Sequence, residues 1–200
     1  MKKVLFLIAV VFSTSFYAQE LSYGVYLGSN FYRMPIKGDL DSRGGQAPLN
    51  LGLFGSVQIN ESSGVHLNAF YGKAIEGSFS SDDGNIFIDK IEVNKITTQL
   101  LYKYHVKKTY NQGFYLLLGP RLSFVSNAEG KQDGLDYSEL YEKVNFGISG
   151  GFGFTFLKHL DGQVILDYGL PSTIDFGKFK SSTIGAYLNI LIDIESIIKN

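Results

Sequence analysis

Eight stretches of the chain alternate apolar and polar residues with a period of two, the pattern of β-strands with two unlike faces. They run 21–33, 49–59, 64–73, 93–106, 113–126, 143–157, 162–170 and 182–194. In the first, Leu21, Tyr23, Val25, Leu27 and Phe31 alternate with Ser22, Gly24, Tyr26, Gly28 and Asn30. In the fourth, Ile96, Thr98, Leu100, Tyr102, Tyr104 and Val106 oppose Lys95, Thr97, Gln99, Lys103 and His105. In the sixth, Val144, Phe146, Ile148, Phe152, Phe154 and Phe156 oppose Asn145, Gly147, Ser149, Gly151, Gly153 and Thr155. These stretches exceed the roughly five or six residues common in globular strands, and most fit the about 9–11 that a tilted membrane strand needs.

The connections alternate in length. Segments 34–48, 74–92, 127–142 and 171–181 are long and follow the odd stretches, whereas 60–63, 107–112 and 158–161 are short and follow the even ones. That is the rhythm of an up-and-down meander decorated at one end, as in outer-membrane barrels with short periplasmic turns and longer external loops.

Alternation does not say which face points outward, because a soluble sandwich or barrel buries its apolar face. The aromatic residues of the apolar row break the tie. With strand directions alternating, Tyr23, Tyr102, Tyr104, Phe114, Phe154 and Phe156 gather at the end with the short turns. Phe31, Tyr71, Phe124, Phe146 and Tyr168 gather at the other. Aliphatic residues such as Leu27, Leu53, Leu100, Leu118, Ile148 and Leu188 lie between. Two aromatic girdles around an aliphatic band suit a barrel that meets two lipid interfaces. The fold class expected is all-β: a closed eight-stranded antiparallel up-and-down transmembrane β-barrel. Its N-terminus and short turns are placed in the periplasm and its long loops outside the cell.

Composition agrees and narrows the options. Among 200 residues there are 23 Gly, 13 Tyr and 16 Phe but only 4 Pro, which favours strands and tight turns over helices. Eighteen basic residues against 19 acidic ones leave a net charge of −1, unlike the basic surface of a nucleic-acid binder. With no Cys, disulfides, thiolate chemistry and an acylated N-terminal cysteine are excluded. Met1-Lys2-Lys3, the apolar run 4–12 and the approach to Ala18 have the form of a secretory signal peptide over 1–18, cleaved after Ala18 or Gln19. Nine apolar residues are too few to span a bilayer as a helix, which takes roughly 20. Residues 19–200 are then a single barrel domain.

The leader ending Tyr17-Ala18-Gln19-Glu20, the opening strand Tyr23-Gly24-Val25-Tyr26-Leu27-Gly28, the segment Leu118-Gly119-Pro120-Arg121 and the segment Gly147-Ile148-Ser149-Gly150-Gly151-Phe152-Gly153 together resemble a known group. The chain is similar to small eight-stranded outer-membrane barrels of the OmpA/OmpX kind, and especially to the PorT-like barrel domain of Bacteroidetes. Two features depart from that pattern. The chain does not end in an aromatic residue but runs past Ile194, and Pro120 falls inside a strand, where a bulge is the expected repair.

Eight strands leave an interior just wide enough for side chains, so charges there must be paired. The inward polar network is expected to hold Lys95, Lys103, Arg121, Asp167, Asp193, His66 and His105, with Arg121 meeting Asp167 near one end and Lys103 meeting Asp193 near the other. The inward glycines of 147–153 are expected to make room for Tyr26 or Tyr187. His66 and His105, on adjacent strands, could form a metal-binding pair, but no third ligand is evident and hydrogen-bonded filler is the plainer reading. Gly147-Ile148-Ser149-Gly150-Gly151 matches Gly-x-Ser-x-Gly in letters only, because it sits within an alternating strand with no helix after it and so forms no nucleophile elbow, and the strand histidines lie at the wrong end for a lipid hydrolase at the outer rim. The expected role is therefore non-enzymatic, without cofactor or metal: a plugged barrel in contact with outer-membrane lipid that acts through its loops. Ile86, Phe87 and Ile88 form an apolar loop segment suited to pairing with another envelope protein. The alternatives are an accessory subunit of an envelope secretion or assembly complex, which the resemblance implies, and a narrow low-conductance pore.

Overall fold

A computed structural model describes residues 21–33, 36–37, 40–42, 48–76, 79–81, 87–88, 91–107, 112–130, 135–170, 174–176, 179–181 and 184–199. The proposed signal peptide and Ile86 lie outside these residues.

Each alternating stretch is a strand: β1 (Leu21–Arg33), β2 (Leu49–Asn60), β3 (Ser63–Glu76), β4 (Ile91–His105), β5 (Gly113–Gly130), β6 (Val144–Leu157), β7 (Leu160–Gly169) and β8 (Ile184–Asp193). Every strand pairs antiparallel with the next, and β1 pairs with β8 through ten positions from Gly24↔Asp193 to Arg33↔Ile184, closing the barrel. In hydrocarbon this closure leaves no strand edge with a row of unpaired backbone groups. The short β2–β3 turn is fastened by Asn60, whose side-chain oxygen accepts from the backbone N–H groups of Ser62 and Ser63 at 3.0 and 2.9 Å. After β8, Asp193 caps a short helix α1 (Ile194–Ile198) by accepting from the Ser196 N–H at 3.1 Å.

So narrow a cylinder requires the sheet to bend sharply. Inward-facing Gly24, Gly52, Gly119 and Gly151 sit where strands approach so closely that a Cβ would overlap a carbonyl oxygen of the neighbouring strand, on Ile192, Ala69, Leu100 and Val164 respectively. These are the β1/β8, β2/β3, β4/β5 and β6/β7 seams, four alternate corners of the barrel. Other inward glycines leave room for side chains, though not as expected from the sequence: Gly153 accommodates Tyr115 and Gly147 accommodates Arg121, and Tyr26 lies against Gly28.

Pro120 is not at a bulge. The β4/β5 ladder pairs Gln99 with Arg121 and Tyr102 with Leu118, stepping over Pro120 without a change of register. The register shift on this pair lies higher, between Asn94↔Asn127 and Lys95↔Val125, so Ser126 is the extra residue.

Two of the long connections pair with the first. Residues 36–37 pair with 180–181, and 40–42 pair with 79–81, which pair in turn with 87–88. The β5–β6 connection instead folds back on its own strand, with the Tyr137 N–H donating to the Ala128 carbonyl at 2.8 Å and the Gly130 N–H to the Leu135 carbonyl at 2.9 Å.

Replacing Gly119 with Val is expected to cost at least about 2 kcal/mol or to prevent barrel closure, since the added carbons meet backbone. Gly55→Val is the control: a Cβ there meets nothing within 4 Å, and the expected change is no more than about 0.5 kcal/mol. Denaturant midpoints in detergent micelles measure both.

Candidate functional site

The pleat sends polar residues inward and apolar residues outward along most of each strand. Tyr23, Phe31, Tyr71, Tyr102, Tyr104, Phe114, Phe124, Phe146, Phe154, Phe156 and Tyr168 all lie on the outer surface, between 38% and 62% exposed, with Leu51, Leu53, Leu100, Leu118, Ile148, Leu166 and Ile190 exposed among them. Such a surface has no stable place in water.

The interior is filled. Tyr26 stacks on Phe70 with ring centroids 4.6 Å apart and 7° between planes, and Phe70 meets Tyr187 edge-on at 5.4 Å. Phe54, Leu101, Tyr115, Leu117, Ile165 and Leu191 complete one buried cluster. The Tyr26 hydroxyl donates to Asn189 at 2.6 Å. The sequence places Tyr26 on the inward row and predicts a polar plug, whereas the plug is largely aromatic; the signal for it is large aromatics recurring at inward positions.

Beside the plug, a connected set of polar side chains runs along the lumen from Asn145 to Lys103. Arg121 donates from Nε to Asp167 at 2.8 Å, from Nη1 to Ser123 at 2.7 Å and from Nη2 to Asn145 at 2.6 Å. Ser149 donates to the same Asp167 oxygen at 2.9 Å, and Gln99 donates to Ser149 at 3.3 Å. Asn68 donates to Gln99 at 3.1 Å. His66 Nε2 lies 2.9 Å from Asn68 Oδ1 and 3.3 Å from Gln163 Nε2. Gln163 donates to the Tyr115 hydroxyl at 3.2 Å, and that hydroxyl donates to Asp161 at 3.1 Å. Lys103, fully buried, reaches the same carboxylate at 3.5 Å with its ammonium 4.2 Å from the Tyr115 ring centre.

The structure thus brings Arg121 and Asp167 together as the sequence suggested, and corrects the second pair. Lys103 meets Asp161, not Asp193. Strand β7 begins two residues earlier than its alternation indicated, which turns Asp161 into the lumen. Asp193 lies at the rim, where it accepts from Ser22 at 2.6 Å and caps α1. His66 and His105 are both buried but are not cross-strand partners, because His66 faces Leu101 while the His105 N–H bonds the Ser62 carbonyl. Among the described residues no three His, Asp or Glu side chains converge as a metal site. Lys95 is buried on the inward row of Thr97 and Gln99. Phe87 and Ile88 form a two-residue strand paired with Phe79 and Ser80.

A closed antiparallel barrel that is greasy outside and polar inside defines an integral β-barrel of the bacterial outer membrane. The chain belongs to the outer membrane protein beta-barrel domain family, whose model matches residues 17–175. Among solved structures it is similar to Neisserial surface protein A, at 12% identity and a TM-score of 0.59, covering 88% of this chain and 99% of that one. It is also similar to the attachment invasion locus protein Ail of Yersinia pestis, at 13% identity and a TM-score of 0.50 over 88% of this chain and 99% of that chain. For outer membrane protein OprG of Pseudomonas aeruginosa the values are 14% and 0.50, over 88% of this chain and 92% of that one. At these identities the likeness extends to the fold alone. No curated protein matches the chain.

Removing one member of the buried Arg121–Asp167 pair leaves an uncompensated charge, so Arg121→Met is expected to lower stability by about 3–5 kcal/mol. The double variant Arg121→Met with Asp167→Leu is expected to recover part of that loss. Urea titrations of the three proteins in the same detergent give the comparison.

Proposed function

We propose that this is a non-enzymatic barrel of the outer membrane whose activity resides in its long connections. In this reading residues 1–18 are removed as a signal peptide, the N-terminus and short turns lie in the periplasm and the long loops face outward. It keeps the kinship with PorT-like and OmpX-like barrels suggested by the sequence. The observation that carries it is a filled lumen beneath a built crown. Tyr26, Tyr115 and Tyr187 are fully buried within the barrel, while the 34–48 connection pairs with strands from two others. Loops on a rigid scaffold are where binding commonly resides. The stretch Phe87–Ile88 lies at the edge of its small sheet, the position from which a strand is added to a partner. The partners in this reading are outer-membrane lipid around the girdles and another envelope protein at the loops.

The plug argues against a pore. The luminal network also makes a poor proton path, because Gln99, Asn68 and Gln163 interrupt it with amides, which do not readily relay protons.

Purified protein in a planar bilayer is expected to show no steady conductance steps; reproducible steps would overturn the plugged reading. Mild-detergent purification from native membranes tests the loop role. A stoichiometric partner that is lost when residues 79–88 are replaced by a Gly-Ser linker supports it, and a partner retained by that variant rejects these residues as the contact.

A further inference from the structure

On one side of the barrel the strands exchange their polar and apolar faces before they end. Along β4 the inward row reads Ile91 and Val93, then Lys95, Thr97 and Gln99; the outward row reads Glu92 and Asn94, then Ile96, Leu100 and Tyr102. On β3 and β5 the inward residues at the same level are Ala74 and Ala128, while Lys73 and Glu129 face outward. The exchange coincides with the register shift at Asn94/Lys95.

The outward groups above this line bond to one another. Lys73 pairs with Glu92 at 2.5 Å, the Tyr71 hydroxyl donates to Asn94 at 2.8 Å, Asn127 donates to Glu129 at 2.8 Å and Ser126 donates to the Asn94 carbonyl at 3.1 Å. The inward apolar groups form a second small core, Ala74, Ile91, Val93 and Ala128, covered by Tyr141 and flanked by Tyr137. On the opposite side of the barrel the described residues show no exchange: Leu166, Tyr168, Leu170, Ile184 and Leu188 keep the outer face apolar.

Apolar-in and polar-out is the rule in water, and apolar-out is the rule in lipid. We propose that the hydrocarbon boundary on the loop-bearing side crosses β3–β5 at the level of Tyr71, Ile96 and Phe124. Lys73, Glu92 and Asn94 then form a contact surface for the polar headgroups of the bilayer, and the wall above them, with the strap 135–141, is a water-side core. Lengths support the division. Ile91–Asn94 is four residues; at about 3.4 Å each and a tilt near 40°, it rises roughly 10 Å. A headgroup layer is about 5–8 Å thick per leaflet, so the wall passes through it into water. The alternative, a wall still in hydrocarbon, places the charged groups of Lys73 and Glu92 against acyl chains, where a lipid-facing charge destabilises a barrel.

The chain has neither Trp nor Cys, so single reporters are read without background. Glu92→Trp, Ile96→Trp and Leu100→Trp, each refolded into vesicles of phosphatidylcholine with brominated acyl chains, report depth by quenching. The expected result is quenching several-fold stronger at 100 and 96 than at 92, with acrylamide quenching in the reverse order. Equal bromine quenching at 92 and 100 would overturn the boundary. If Glu92→Trp does not fold, Glu92→Cys and Leu100→Cys carrying nitroxides answer the same question: oxygen should relax the label at 100, and a water-soluble nickel chelate the label at 92. Neither result depends on whether the loops bind a partner.

Discussion

Inside hydrocarbon no water is available for an unpaired backbone group, and a sheet escapes that penalty only by joining its first strand to its last. The ten-position pairing of β1 with β8 is therefore the constraint from which the rest follows. Closing on eight strands makes the cylinder narrow, and narrowness imposes two further requirements. The wall must turn corners, which it does at four inward glycines on alternate seams. The lumen must be filled, because an empty one loses packing along its whole length.

The filling reconciles two opposed demands. Inward residues have to be polar enough for strands to assemble with their apolar rows outward, yet each buried polar group must find a partner. An aromatic cluster around Tyr26, Phe70 and Tyr187 occupies volume, and the network from Asn145 to Lys103 neutralises charge. Arg121 illustrates the logic: all three of its nitrogens are engaged, so its cost of burial is offset in one place. A lumen filled in this way fits the scaffold role proposed above better than that of a conduit.

At the loop-bearing end the same physical rules act with the opposite sign. Ile91 and Val93 point inward on the strand whose Ile96 and Leu100 point outward, and no change of pleat is needed to explain it, only a change of solvent. Tyr141 covers the small apolar surface that would otherwise face water, as a soluble sheet requires. Because the exchange interrupts the alternation that marks a lipid-facing strand, β4 and β5 run further than the sequence pattern indicated, to Ile91 at one end and Gly130 at the other.

Much of the architecture could be read from the chain alone, because period-two alternation, girdle aromatics and the rhythm of connection lengths are local properties imposed by the bilayer and the pleat. All eight strands, their order and the outward set from Tyr23 to Tyr168 follow from them. Which inward residues touch could be read only where both partners lay well inside their strands, as Arg121 and Asp167 do. The choice of Asp161 over Asp193 for Lys103, the separation of His66 from His105 and the corner glycines depend on strand stagger and on where each strand begins. Stagger is set when the cylinder closes, by the fit of side chains from strands far apart in sequence, and no local pattern records it.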